Sequence, residues 1–298
     1  MESEMNLGTP LGHPAPWPAP AKLNLCLHIV GRRADGYHLL QSAIQFIDLC
    51  DEVRFWRRPA GAIERVKGPN DIPPESDLAI RAARLMAAQA AAPVGVGIEL
   101  HKRIPTQAGL GGGSSDAATV LVALNRLWGL GLDVDQTAAL GLQLGADVPM
   151  FVRGNSAWME GVGEILTPTE FDPALYLVIK PDAEVATSDI FSAPELTRNT
   201  PVTTIRAFRQ QGGHNDCTAA VRARHRQVAE ALDWLGKFGV AKLTGTGACV
   251  FAACVDRAAA ERILQQVPRE WRGYVVQGLN ESPLLARLQS EASEVTSS

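Results

Sequence analysis

Residues 105–128 read PTQAGLGGGSSDAATVLVALNRLW, a glycine-rich loop that runs into an amphipathic helix. Gly109, Gly111, Gly112 and Gly113 open backbone conformations closed to other residues and let the main chain approach a ligand closely. Ser114, Ser115 and Asp116 suit the first positions of a helix. Val120, Leu121, Leu124, Leu127 and Trp128 form its apolar stripe. Main-chain N–H groups gathered at the positive end of a helix make a site for phosphate. A plain flexible turn has no use for so many glycines, each costing about 0.5–1 kcal/mol in ordered structure. Three familiar motifs do not fit. A Walker A loop needs a lysine that is absent here. A dinucleotide fingerprint needs a glycine where Ser114 stands and a strand directly before it, whereas 105–108 intervene. The hydrolase elbow G-x-S-x-G does not occur. With no lysine in the loop, cationic help must come from a metal ion or a remote residue.

Elements of both kinds surround this segment. Upstream, Val96, Ile98 and Leu100 alternate as a strand, and Leu78, Ala82, Leu85 and Met86 share one face of a helix over 77–91. Downstream, a helix fits 135–144; it ends at Gly145, and Pro149 blocks its continuation. In KLNLCLHIV (22–30) the residues Leu23, Leu25, Leu27 and Ile29 alternate with Asn24, Cys26 and His28, predicting a half-buried strand. A polar turn, GRRADGYH (31–38), follows with Asp35-Gly36 at its tip. Strands are then expected near 39–48, 52–57, 156–160 and 175–180, with a short helical turn at 187–191. The C-terminal part reads helix (219–236), strand (240–244), turn (Gly245-Thr246-Gly247), strand (248–255), helix (256–266), strand (272–277). Such interleaving predicts α+β layers with helices on one sheet face. Pro10, Pro14, Pro16, Pro18 and Pro20 mark 1–20 as a disordered lead, and the polar 286–298 is expected to fray.

Composition excludes several functions. Apolar residues make up 46% and charged residues 20% of 298 positions, a globular balance rather than a disordered one. A net charge of −4 and 6% aromatics argue against nucleic-acid binding. The five cysteines are scattered without a C-x-x-C, which fits a reducing compartment and neither a disulfide framework nor a zinc site. No positively charged leader or spanning apolar run is visible, so a cytoplasmic protein with no membrane partner is expected.

Four further places can carry chemistry. Lys22 opens a strand and shares a face with Asn24, two residues on; alone, such a lysine is usually solvated. Asp147, in LGADVPMF, is an acid among apolar neighbours, and burying it calls for a partner such as a lysine. Tyr37 and His38 end the first hairpin, as an exposed pair or as readers of a planar ring, one stacking and one hydrogen bonding. Gly245-Thr246-Gly247 is a tight turn that says little by itself.

Taken together, PAPAKLNLCLHIVGRRADGYH, IPTQAGLGGGSSDAATVLVALN, LGADVPMFVRGNSAWMEGVGE and LTGTGACVFA occur in the order and spacing of the GHMP small-molecule kinases. The resemblance covers about 15–285. It implies a two-domain α+β GHMP kinase fold: a β-rich N-terminal ATP-binding domain (21–165) and a C-terminal ferredoxin-like α/β sandwich on the substrate side (166–285). It also implies ATP and Mg²⁺ as cofactors, with metal ligands unassigned beyond a possible Ser114 hydroxyl. ATP would lie over Pro105, Thr106, Gln107, Ala108, Gly109, Leu110, Gly111, Gly112, Gly113, Ser114 and Ser115, with Lys102 near the adenine. Lys22 and Asp147 match the family's catalytic pair, and Asn24 matches a substrate contact beside them. Tyr37, His38 and Phe191 match residues that hold the cytosine of a diphosphocytidyl substrate in the branch of the family serving the non-mevalonate isoprenoid pathway. Two departures stand out: Thr106-Gln107 where small residues occur, and Asp77 where an Asn near the nucleotide is expected. Homoserine, mevalonate or galactose kinases, or a non-catalytic nucleotide-binding regulator, are the alternatives. The former would share the loop without Tyr37-His38; the latter would have lost Lys22 or Asp147. The substrate is a small molecule, and the oligomeric state is left open.

Overall fold

The computed structural model describes residues 7–69 and 72–295. The chain begins with strands β1 (Trp17–Arg32), β2 (His38–Arg57) and β3 (Ile63–Lys67), then helix α1 (Leu78–Ala87) and β4 (Val96–His101). Helices α2 (Gly112–Leu127), α3 (Val134–Leu142) and α4 (Val148–Arg153) follow, then β5 (Ala157–Gly161), β6 (Ile165–Pro168) and β7 (Leu175–Lys180). The remainder is α5 (Thr187–Ser192), α6 (Ile205–Gln211), α7 (Cys217–Arg224), α8 (Arg226–Leu235), β8 (Lys242–Leu243), β9 (Val250–Cys254), α9 (Arg257–Leu264), β10 (Arg272–Leu279) and α10 (Pro283–Val295). Among the described residues no helix is long and apolar enough to cross a membrane, and all five cysteines are free thiols.

Strand order is β3-β4-β2-β10-β7-β9-β8, with β1 and β5 also on β2 and β6 on β5. The last long strand ties the chain together. Arg272–Gln277 of β10 pair with β7, and its end, Gly278 and Leu279, pairs with Ile47 and Phe46 of β2. One apolar core, with Trp17, Phe46, Ile80, Ile98, Leu121 and Phe151, lies under α1, α2 and α4. A second, with Ile29, Leu177, Ile179, Val221, Val228 and Leu243, packs the C-terminal helices on their sheet. Leu23, Ile47, Leu110, Val178 and Val276 join the two. This is the α+β arrangement expected.

Several local expectations need correction. The lead is not disordered where it is described. Trp17–Pro20 open β1, and Trp17 is 1% exposed, with the Phe55 ring 6.5 Å away and the Arg287 guanidinium 4.5 Å over its indole. Among the described strands, β1 ladders with β2, and its proline-bearing start has an edge position that tolerates proline. The tail does not fray over its described part: 283–295 form α10, with Leu284 buried and Glu291 paired to Arg287 at 2.6 Å. Residues 1–6 and 296–298 of the lead and tail lie outside the described residues. A division at 165/166 would cut β6, whose partner β5 stands on β2. The helix expected over 219–236 is two helices meeting at His225, which leaves helical geometry at φ −126° and ψ 87°. Pro149 starts a helix rather than stopping one, since the first turn needs no N–H from it.

The half-buried reading of β1 also fails: almost every residue from Trp17 to Ile29 is buried, on both faces. Register shifts between Pro20 and Ala21, Asn24 and Cys26, and Ile29 and Gly31 break the alternation. A bulge re-aims the residues beyond it. Lys22, Asn24 and Leu27 therefore all line one cleft, though strict alternation would put Leu27 on the opposite face.

Candidate active site

The cleft measures about 1080 Å³ and is walled by the 102–114 segment, Asp147, the 35–38 turn, α5 and the Gly245-Thr246 turn. That is room for a nucleotide and a second substrate. At one end stands the glycine loop. Gly111 is the N-cap of α2 in the left-handed region (φ 74°), and no side chain caps the helix. Its first-turn N–H groups are therefore left for a ligand. Gly109 is also left-handed (φ 75°), and a Cβ there would sit 2.2 Å from the Thr244 carbonyl oxygen. The loop is clamped from two sides. Lys22 N–H donates to the Leu110 carbonyl at 3.0 Å, Cys249 N–H to Ala108 at 3.0 Å, and the Thr244 hydroxyl to Gly109 at 3.2 Å. The 243–247 turn, which says little as sequence, is the backing of the glycine loop. Gln107, one of the two departures, holds a left-handed backbone (φ 48°), and its carbonyl accepts from Ala248 N–H at 3.3 Å.

In the middle, Lys22 Nζ lies 4.0 Å from Asp147 Oδ2; the lysine side chain is 6% exposed and the acid 41%. Burial lowers the Lys22 pKa, partly opposed by Asp147. Lys22 also donates to the Asn24 carboxamide oxygen, while Asn24 Nδ2 donates to Ser42 Oγ at 2.8 Å. The Asn24 backbone N–H donates to the Thr244 hydroxyl at 3.0 Å, so lysine, amide and loop backing form one network. Asp147 is the N-cap of α4, yet its side chain makes no capping bond. Asp77, Asp133 and Asp256 at other helix starts do, whereas Asp216 at the start of α7 does not, its carboxylate accepting instead from Ile29 N–H and the Thr200 hydroxyl. Pro149 removes one of the N–H groups that a capping carboxylate would take, which leaves Asp147 to the cleft.

At the far end, the His38 and Phe191 rings stack at 5.2 Å and 21°. Tyr37 is 67% exposed on the cleft rim. The structure thus brings all three residues to one place, with His38, not Tyr37, on Phe191. Burial, then Arg198 and Arg32, lower the His38 pKa.

Two expectations at the nucleotide end acquire physical content. Lys102 lines the cleft, but its ammonium sits between the buried carboxylates of Asp51 and Asp116. Burial works against that charge, but Asp116 and Asp51 outweigh it and raise the pKa. One lysine cannot compensate two buried acids: burial pushes Asp116 up to about 8, against the pull of Lys102. Asp51 also accepts from the Arg103 and Ile104 N–H groups at 2.5 and 2.8 Å, fixing the chain just before the loop. Asp77 does not line the cleft; it caps α1 through Ala79 N–H and pairs with Arg65 at 2.5 Å. Thr244, Asp51, Asp116 and Arg198 were not picked out from the sequence as site residues, because each works through contacts from distant parts of the chain. Among the described residues no group of three or more His, Cys, Asp or Glu could hold a metal.

A capless, glycine-rich helix start beside a lysine–acid pair in one cleft is the arrangement that phosphoryl transfer needs. Residues 77–155 match the GHMP kinases N terminal domain, and 195–273 match the GHMP kinases C terminal domain. The chain belongs to the GHMP kinases, which use ATP. Within them it is similar to the 4-diphosphocytidyl-2-C-methyl-D-erythritol kinase of Alkalilimnicola ehrlichii, with 52% identity over 92% of this chain and 94% of that one. A crystal structure of 4-(cytidine 5'-diphospho)-2C-methyl-D-erythritol kinase superposes with a TM-score of 0.76 at 32% identity, over 88% of this chain and 98% of that one. Homoserine kinase from Cytophaga hutchinsonii reaches 0.66 at 17% identity, over 88% and 94%, which shows a common fold alone.

Proposed function

We propose that this kinase transfers the γ-phosphoryl group of ATP to a hydroxyl of 4-diphosphocytidyl-2-C-methyl-D-erythritol, in the non-mevalonate route to isoprenoid precursors. The observation that carries this is the position of the Lys22–Asp147 pair, 4.0 Å apart, between a phosphate-binding helix start and a stacked His38–Phe191 pair in one cleft. The naming of the relatives adds the substrate. Asp147 takes the hydroxyl proton, the alkoxide oxygen attacks the γ-phosphorus, and ADP departs. Lys22 keeps Asp147 ionised and stabilises the negative charge growing on the attacking oxygen. Phosphoryl transfer needs little else beyond positioning and charge compensation. The free N–H groups at the start of α2 supply part of that compensation, and Asn24 holds Lys22 in line.

A Mg²⁺ ion carried in with the nucleotide would need few ligands from the protein. The residues fit such an ion: Ser114, on the first turn of α2 and lining the cleft, offers a hydroxyl. When bound, the ion would neutralise phosphate charge. Lys102 with its two acids borders the adenine end, and Tyr37, His38 and Phe191 hold the cytosine.

The test is ATP consumption with the cytidyl substrate against homoserine, mevalonate and galactose. Turnover confined to the cytidyl substrate is the expected result. Preference for any of the other three would replace this reading with a sibling kinase.

A further inference from the structure

The His38 ring is held from two directions. Phe191 stacks on its face, and Arg198 Nε donates to its Nε2 at 3.2 Å. Arg198 is itself pinned: Nη1 donates to the Leu196 carbonyl at 3.0 Å, and Nη2 donates to Phe191 and Ala193 carbonyls at 3.1 and 2.7 Å. These contacts close the 191–198 segment around the guanidinium, so the donor cannot swing away without losing three bonds. A guanidinium has no lone pair to offer and keeps its protons at any ordinary pH. Nε2 of His38 must therefore be the accepting, unprotonated nitrogen, and the proton of the neutral ring sits on Nδ1. A second proton at Nε2 would point at a cation, and the ring is already hard to charge beside Arg198 and Arg32. Among the described residues no protein group bonds Nδ1, and His38 lines the cleft.

We propose that Arg198 is a positioning residue that locks His38 in the Nδ1–H tautomer, so that the cleft presents a fixed hydrogen-bond donor and selects a base whose ring edge carries an acceptor. This rests on the cytidyl reading above. N3 of cytosine has a lone pair for such a donor. N3 of uracil carries a proton, so two donors would face each other and both would go unpaired. Sites built around a specific hydrogen bond reject the analogue that cannot complete it. An unlocked histidine would lose this power: with its proton moved to Nε2, Nδ1 could accept from uracil. Stacking on Tyr37 or Phe191 could not restore the distinction, because every base has a π-face.

The tautomer can be read without any turnover. In the ¹⁵N-histidine-labelled full chain above neutral pH, two-bond ¹H–¹⁵N correlations should show His38 with a protonated Nδ1 and a bare Nε2, assigned by their loss in His38→Ala. Arg198→Met should return the ring toward the Nε2–H form that free histidine favours. Arg198→Lys, also a donor without a lone pair, should retain Nδ1–H. In kinetics, Arg198→Met should lower the cytidyl-over-uridyl ratio of kcat/KM about tenfold, one lost hydrogen bond, through KM for the cytidyl substrate, with KM for ATP unchanged. Arg198→Lys should recover most of that ratio. An Nε2–H ring in the wild type, an unaltered tautomer in Arg198→Met, or an altered tautomer with an unaltered ratio each overturns the proposal. If the wild type shows Nδ1–H and phosphorylates neither nucleotide substrate, the base-reading half falls together with the substrate assignment, while the Arg198 lock stands.

Discussion

At the glycine-loop end of the cleft, proposed above to hold phosphate, the groups offered to a ligand are main-chain N–H groups on a loop bonded to β1 on one side and to the 244–249 turn on the other. At the opposite end, proposed above to hold the base, they are side chains: an exposed tyrosine, and a histidine held by one stacked ring and one arginine. The first kind of site is fixed when the backbone folds and allows no substitution by side-chain chemistry. The second is assembled from rotamers and tautomers, so single residues can retune it. Homoserine kinase from Cytophaga hutchinsonii, at 17% identity, shares the fold. Under the proposed function, selectivity is read at the side-chain end.

The pair lying between the two ends should show the largest effect. Asp147→Asn should lower kcat by about 10²–10⁴-fold with ATP affinity retained; near-wild-type kcat in steady-state kinetics would remove Asp147 from the chemistry. Next comes the backbone-built end. In Gly111→Val the new side chain must adopt φ 74° with its Cβ 2.7 Å from the Phe151 ring. ATP binding should disappear in calorimetry and the melting temperature should drop. Gly113→Ala is the sharper probe, because φ there is not positive and its Cβ meets only Leu78 Cδ1, at 3.7 Å. It should melt like wild type and still bind ATP more weakly, because the added methyl group would stand where phosphate approaches the start of α2. Unchanged affinity would mean that phosphate does not lie over the start of α2.

At the side-chain end, Phe191→Ala should raise KM for the cytidyl substrate within the range of about 1–3 kcal/mol per stacked base. Tyr37→Ala should fall at the low end, since its ring is exposed and stacks on no protein ring. Neither should move KM for ATP; a rise in both constants would place the two rings outside the base site. The smallest effect concerns Asp116. Its folded pKa, about 8, lies above that of an unfolded carboxyl. The folded chain then binds the extra proton, so this group's stabilisation is full at low pH. It is lost as pH rises from the carboxylate range through about 8. Asp116→Asn should flatten that part of the dependence of melting temperature on pH; an unchanged slope would assign it to other groups.

Much of this was legible in the primary structure, and the reasons differ by residue. The loop at 109–113 could be read because glycine content and helix onset are local properties. Lys22 with Asn24, and Asp147 beside Pro149, could be marked as suspects because strand spacing and a capping position are also local. That Asp147 is free to act follows from its proline as much as from its charge, whereas Asp77 is consumed by capping and by Arg65. The register shifts along β1 are invisible to alternation, so the chain alone could not say that Leu27 joins Lys22 and Asn24 in the cleft. Nor could it show that the lead and the tail meet over Trp17, where Arg287 of α10 covers the indole.

By itself, then, the sequence determined the classes of element, the glycine-rich helix start, the candidate lysine and acid, and the family, because each depends on residues close together along the chain or on motifs in fixed order. Only the tertiary structure decided which of those residues share a cleft, that Thr244 backs the loop from 135 residues away, that Lys102 spends its charge on Asp51 and Asp116, and that Arg198 faces Nε2 of His38 across 160 residues. A hydrogen bond's partner, and so the protonation of a ring or a carboxyl, is a property of a place in the fold, and no spacing along the chain encodes it.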